Sequence, residues 1–358
     1  MNVRRLPRWG RPVAMVVLAL GATGAIPSAA AASAVPDTGV TCTTTTPIGY
    51  SGTPTKGAIA TAGADACFTF STAEGDVVWV DLAATSGNLS LFEDVFRPGP
   101  ISTCAGPYGG PGACAVPSGG AGTWTLRVSD SSGTHTGKFN VSIQRLDKGV
   151  GCKAIAFGKS AIKGKITAPA SSSCFTLTGK ASDVLFARAT GISGKLGTPT
   201  LLVAAADGSE PCGINEFGEQ DCPLTGSGPQ TLLVYSSLET PTGSFRIYDQ
   251  QLTAPQHCTA LAIGGAGNTG EVAKAGDVAC FTFAGSKGQT VTVTLTHLTG
   301  SLSPLMDDFR PTGTSACGGP GASLECGLDT TGTWTTLIWD SSSTDKGTGS
   351  FTATATTP

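Results

Sequence analysis

One short phrase occurs three times in this chain, and it restricts the fold more than any other feature. Cys67-Phe68-Thr69-Phe70 returns as Cys174-Phe175-Thr176-Leu177 and again as Cys280-Phe281-Thr282-Phe283, at spacings of 107 and 106 residues. The twelve cysteines fall on the same grid: Cys42, Cys67, Cys104 and Cys114; Cys152, Cys174, Cys212 and Cys222; Cys258, Cys280, Cys317 and Cys326. A repeat of about 105 residues is long enough to enclose its own core. An active site is usually unique, so a unit copied whole argues for a scaffold or a binding protein.

The first 34 residues read as a signal peptide. Arg4, Arg5, Arg8 and Arg11 precede an apolar run from Val13 to Ile26, and Ala32-Ser33-Ala34 supplies an A-x-A cleavage site. No Phe-Leu-Lys pattern follows Arg4-Arg5, which favours general secretion over twin-arginine export. Neither a second apolar stretch of membrane length nor a C-terminal sorting motif follows. The expectation is a released, extracellular protein that neither spans nor is anchored to a membrane. Without the signal the balance is 18 basic against 25 acidic residues. Such a mild negative charge lacks the basic footprint that nucleic acid requires and gives no attraction to anionic membranes.

All twelve cysteines lie in the mature chain, with no C-x-x-C and only three histidines beside them. This pattern reads as six disulfides, not as thiolate metal sites. The near-constant gap between third and fourth cysteines (10, 10 and 9 residues) favours Cys104–Cys114, Cys212–Cys222 and Cys317–Cys326. Cys42–Cys67, Cys152–Cys174 and Cys258–Cys280 then tie each opening strand to the Cys-Phe-Thr strand. Each bridge stabilises by about 2–4 kcal/mol in a chain-entropy picture.

Alternation supplies the strands. Thr290-Val291-Thr292-Val293-Thr294-Leu295 has strict period two, which turns Val291, Val293 and Leu295 toward a core. The matching inward residues are Val78, Val80 and Leu82 in the first unit and Leu185, Ala187 and Ala189 in the second. Further strands are expected near 121–129, 138–144, 199–204, 231–236, 245–249, 332–339 and 349–355, separated by Gly, Pro and Ser clusters. Charged residues are only 13% of the chain and Gly is abundant, which suits a turn-rich β protein. The fold class is therefore all-β: three tandem disulfide-stapled antiparallel β-sandwiches of jelly-roll-like order, with seven or eight strands each, following the signal peptide. The expected division is 1–34 signal, 35–148 first sandwich, 149–253 a divergent second and 254–358 third. Short linkers near Lys148-Gly149 and Thr253-Ala254-Pro255 imply limited hinge freedom.

Several phrases carry a family resemblance. Gly63-Ala64-Asp65-Ala66-Cys67-Phe68-Thr69-Phe70 is followed by Gly75-Asp76-Val77-Val78-Trp79-Val80, Ser86-Gly87-Asn88-Leu89, Phe96-Arg97-Pro98-Gly99, Gly122-Thr123-Trp124-Thr125-Leu126-Arg127-Val128 and Thr136-Gly137-Lys138-Phe139. The unit resembles the bacterial pre-peptidase C-terminal (PPC) domain, repeated three times. The second copy departs from it: Gln230 stands where Trp124 and Trp334 stand in the others, and the Phe-Arg-Pro step is missing. The resemblance implies a jelly-roll sandwich on a secreted protein. It also implies kinship with collagen-binding and carbohydrate-associated modules, some of which bind calcium.

No enzyme is expected. His135, His257 and His297 occupy non-equivalent places in the repeats, and no G-x-S-x-G, H-E-x-x-H or P-loop occurs. Glu93-Asp94 and Asp307-Asp308 are sequence neighbours that point to opposite faces of a strand, so neither is an acid/base pair.

Three features are candidates for binding. The first is a correlated set: Asp94, Arg97 and Asp130 match Asp308, Arg310 and Asp340, and the second unit carries Leu202, Ala204 and Ser236 there. An ion pair between the arginine and an aspartate on adjacent strands is the simpler reading. A calcium site is the functional one, since calcium takes hard oxygen ligands, although the arginine opposes a cation. No other cofactor is expected. The second feature is the small loop closed by each unit's last disulfide, where Tyr108 and Phe217 are candidate exposed anchors; an ordinary surface loop is the alternative. The third is the outward face of the 75–82 strand, with Trp79 and, in the second unit, Phe186 as stacking platforms for sugar or polymer. Burial against a neighbouring unit is its alternative.

The chain is thus expected to be a monomeric, non-catalytic binding protein for an extracellular polymer: cell-wall glycan, other polysaccharide or matrix-type protein. The other reading is a structural or protective exoprotein, or an accessory partner of a secreted hydrolase. Exposed aromatics would favour the first and a bland polar surface the second.

Overall fold

The computed structural model describes residues 42–98, 101–106, 112–196, 199–210, 212, 214–215, 219–226, 228–236, 241–342 and 344–358, with the backbone alone described over 101–106, 214–215 and 219–220. The expected signal peptide, Tyr108 and Phe217 lie outside these residues. The described residues carry 27 β-strands, nine in each third of the chain. Among them no helix is long and apolar enough to cross a membrane.

Each third folds into two facing sheets. In the first, one sheet orders its strands Thr45–Pro47, Ala66–Thr72, Gly122–Asp130, Leu91–Arg97 and Ile101–Gly106. The other orders Thr55–Ile59, Gly137–Arg145, Val77–Gly87 and Gly112–Ala115. Consecutive strands switch sheets, the crossing pattern expected of a jelly roll, except for Leu91–Arg97 and Ile101–Gly106, which pair as a hairpin within the five-stranded sheet. The second and third thirds repeat both orders strand for strand.

Two details differ from expectation. Nine strands form where seven or eight were expected, because two- and three-residue edge pieces are also hydrogen-bonded. The opening piece is parallel to its neighbour, Thr45 facing Cys67 in the first sandwich and Lys153 facing Phe175 in the second. The disulfide explains this placement: Cys42–Cys67 and Cys152–Cys174 hold the entering chain alongside the Cys-Phe-Thr strand.

The cores follow from the alternation. Val78, Val80 and Leu82 turn inward with Phe68, Phe70, Trp124, Leu126, Phe139, Val141 and Ile143. Leu185, Ala187 and Ala189 do the same in the second sandwich, as do Val291, Val293 and Leu295 in the third. Trp124 and Trp334 close their cores while donating their indole N–H to the Gly120 and Thr330 carbonyls, at 2.6 and 3.1 Å. Gln230 fills that place in the second core, fully buried, with Nε2 directed at the Thr225 and Gly228 carbonyls.

The disulfides Cys42–Cys67, Cys152–Cys174, Cys212–Cys222, Cys258–Cys280 and Cys317–Cys326 are those the spacing favoured. Cys114 is also disulfide-bonded; the side chain of its expected partner, Cys104, lies outside the described residues.

Two further apolar clusters belong to no single sandwich. One joins Val77, Trp79 and Leu146 of the first third to Leu202, Ala204, Leu233 and Tyr235 of the second. The other joins Val184, Phe186, Tyr248 and Leu252 of the second to Val278, Phe309, Leu337 and Trp339 of the third. At both places the four-stranded sheet of one sandwich lies on the five-stranded sheet of the next, within one compact unit.

Candidate functional site

Trp79 and Phe186 point away from their own cores, as the alternation requires, yet neither is exposed. Trp79 retains 1% of its surface and Phe186 4%. Trp79 packs on Tyr235 with ring centroids 5.3 Å apart. Phe186 meets Trp339 at 5.5 Å and Phe309 at 6.0 Å. The expectation of exposed stacking platforms is therefore corrected. Aromatic side chains carry a large apolar area, and here that area is covered by the next sandwich, so no sugar ring can reach it.

The two junctions are built alike. The Gln144 amide donates to the Val150 carbonyl at 2.7 Å and toward Cys152 Sγ at 3.4 Å. The Gln250 amide donates to the Gln256 carbonyl at 2.8 Å and toward Cys258 Sγ at 3.1 Å. Both glutamines are buried. Just beyond them, the Leu146 and Leu252 amides bond the carbonyls of Val77 and Val184 at 2.9 and 2.7 Å. Each linker is thereby pinned to the strand it leaves. A turn glycine of the following sandwich presses on the same valine. A Cβ on Gly208 (φ +79°) would sit 2.2 Å from Val77, and one on Gly313 (φ +83°) 2.5 Å from Val184. Positive φ and contact distance both require glycine there.

Arg188 adds polar contacts at the second junction. Its guanidinium is buried, donates to the Asp340 carbonyl at 3.2 Å, pairs with Asp345 at 3.2 Å and lies 5.8 Å from the Trp339 ring centroid. Asp277 accepts the Ala161 amide across the same boundary at 3.0 Å. Sequence reasoning missed Gln144, Gln250 and Arg188 as junction residues. The signal was present: buried-face alternation and a polar residue at equivalent places in two consecutive repeats.

The four weak calcium candidates do not converge. Asp94 pairs with Arg127 on the neighbouring strand. Asp308 faces the third core, where Thr336 donates to it at 2.7 Å, and burial pushes its carboxyl up to about 6. Asp130 accepts the amides of Ser90, Thr134 and His135 at 2.9, 3.1 and 3.1 Å; the Ser132 hydroxyl holds its carboxyl well below the usual range. Asp340 fastens its own loop through the Ser303 and Gly347 amides at 2.9 and 2.8 Å. Among the described residues no group of three or more His, Cys, Asp or Glu could hold a metal ion.

The proposed equivalence is also one residue out. Strand register places Asp94 opposite Arg127 and Asp307 opposite Leu337, so Asp94 corresponds to Asp307, and Asp308 corresponds to the inward Val95. The ion pairs that form are not those expected within the set: Asp94 pairs with Arg127, and Arg310 pairs at 2.8 Å with Asp329, which lies in the turn between two strands.

One Ser/His/Asp grouping requires attention. His135 Nδ1 lies 3.0 Å from Ser132 Oγ and 3.3 Å from Asp130. A catalytic triad needs the serine on one ring nitrogen and the aspartate on the other. Here both contact Nδ1, the serine hydroxyl itself bonds Asp130, and the histidine side chain is 42% exposed. The third sandwich builds the same latch from Asp340, Ser342 and Thr344 without a histidine, which marks it as a loop fastening.

No family model matches the chain, and no curated protein matches it. Solved structures with a similar course include PliG of Aeromonas hydrophila, a periplasmic lysozyme inhibitor of g-type lysozyme (20% identity, 28% of this chain, 96% of that one, TM-score 0.24). The pre-peptidase C-terminal domain of collagenase from Bacillus anthracis is another (14% identity, 28% of this chain, 95% of that one, TM-score 0.24). The CUB1-EGF-CUB2 domain of human MASP-1/3 matches a longer stretch (7% identity, 54% of this chain, 99% of that one, TM-score 0.17). At these identities and scores the likeness assigns neither ligand nor activity.

Proposed function

We propose that the chain is an exported, non-catalytic structural or accessory protein that contributes a stiff, disulfide-stapled stack of sandwiches. The observation that carries this reading is the burial of Trp79 and Phe186 in the junctions. The two aromatics that would have served polymer binding instead join the units. Export itself rests on the signal-like leader and the disulfides. Among the described residues the exposed large apolar side chains are Val150 and Leu298, far short of a contiguous patch. Polymer attachment, the other reading, would then rest on Tyr108 and Phe217 in the small disulfide loops.

Co-sedimentation of the oxidised mature protein with insoluble chitin, cellulose, peptidoglycan and collagen, with and without calcium, separates the two. The structural reading predicts no retention on any of them. Retention that disappears in Tyr108→Ala or Phe217→Ala would overturn it in favour of polymer binding.

A further inference from the structure

The two junctions share one set of residues, and the outward faces of the first and third sandwiches depart from it. On the donating four-stranded face the set is Val77, Trp79 and Gln144 in the first sandwich and Val184, Phe186 and Gln250 in the second. Strand register gives the corresponding residues of the third. Val293 faces Ala355 as Val80 faces Ile143 and Ala187 faces Asp249. Thr290, Thr292 and Thr356 therefore replace the valine, the aromatic and the glutamine. All three are partly buried or exposed. Thr294, Thr352 and Thr354 continue the same hydroxyl-bearing face, with Thr292 opposite Thr356 and Thr294 opposite Thr354.

The receiving five-stranded face shows the converse. The second sandwich offers Leu202, Leu233 and Tyr235, and the third offers Leu337 and Trp339. In the first sandwich the equivalent places hold Asp94, Arg127 and Ser129. Phe96, which corresponds to Phe309, is kept but covered: the Arg127 guanidinium lies 5.5 Å from its ring centroid while pairing with Asp94 and, at 3.7 Å, with Asp65.

We propose that these two faces are caps that stop head-to-tail stacking at both ends. A heterologous contact of this kind does not close on itself, and a chain with apolar faces at both ends would grow into a fibre. Repeat stacks avoid this with polar outer faces on terminal units. Docking a sandwich on the threonine face would bury hydroxyls without partners. Docking one on the first sandwich would desolvate the Arg127–Asp94 pair or strip the guanidinium from Phe96. The inference holds whichever extracellular role the stack serves.

The test makes each end stackable in a separate protein. A donor variant carries Thr290→Val, Thr292→Trp and Thr356→Gln. A receiver variant carries Asp94→Leu, Arg127→Leu and Ser129→Tyr. Sedimentation velocity of the parent and of either variant alone should give a monomer. An equimolar mixture of the two variants should give a species of twice the mass, which neither forms with the parent. A mixture that stays monomeric, with both variants folded by circular dichroism and their disulfides intact, overturns the proposal. So does a parent that already self-associates and becomes monomeric on Thr292→Asp. If a triple variant fails to fold, Thr292→Trp mixed with Arg127→Leu poses the same question with one exchange per end. Those two surface changes leave both cores untouched, and absence of a complex then counts against the caps.

Discussion

Asp81, Glu93, Asp249 and Asp308 are all buried, and burial raises their carboxyls to about 7, 8, 7 and 6. A folded-state value above the unfolded one means that the folded chain binds the extra proton. Stability is then greatest below about pH 4 for these groups and falls as pH rises toward about 7 or 8. Asp249 is the clearest single case, because burial is the cause of its shift and one of its oxygens has no hydrogen-bond partner. Asp249→Asn should stabilise the protein by about 1–3 kcal/mol at pH 8 and change little at pH 4, since one pKa unit is worth about 1.4 kcal/mol. Urea unfolding at the two pH values checks this; equal effects at both would refute the titration argument. The individual acids were easy to find in the sequence, but their roles were not. Glu93-Asp94 and Asp307-Asp308 look alike as strings, and a one-residue slip exchanges the core face for the outer face. By that slip the sequence aligns Asp308 with Asp94, although Asp308 lies in the core.

At the scale of strands, period two correctly turned Val78 and Val80 inward and Trp79 outward. Alternation fixes the face of a sheet a side chain occupies but is silent on what covers that face. The answer lay about 156 positions further along, at Tyr235, and in side chains whose apolar character has no meaning until the two sheets meet. The disulfides were more legible, because a nine- or ten-residue gap limits the partners a cysteine can reach. Truncating a junction aromatic should behave as a core truncation. Trp79→Ala or Phe186→Ala is expected to cost about 3–5 kcal/mol. It should also speed proteolysis of the adjoining linker, residues 146–152 or 252–258, whose pinning depends on the closed junction. An exposed stacking residue would show neither effect, so unchanged thermal stability together with unchanged cleavage would contradict the buried junction.

The whole molecule gains its cohesion from two interfaces in series, the middle sandwich being held on both sheets while its neighbours are held on one. Where each unit contacts only its neighbours, stability is roughly a sum of unit and interface contributions, and strong interfaces make the units melt together. Both junctions combine an aromatic pair, a buried glutamine and a close glycine–valine contact. The second adds the Arg188–Asp345 pair. The oxidised protein should therefore melt in one calorimetric transition whose van't Hoff enthalpy approaches the calorimetric one. Weakening the second junction by Phe186→Ala with Gln250→Ala should split that transition. The lower-melting step should then belong to one side of the junction alone, while the first junction, more than one sandwich away, still couples its two partners. Scanning calorimetry of the parent and the double variant, with limited proteolysis at the intermediate temperature to identify the folded part, decides the point. Two or three separate transitions in the parent would mean that the sandwiches are thermodynamically independent. The contacts described at both junctions would then be too weak to make the stack stiff.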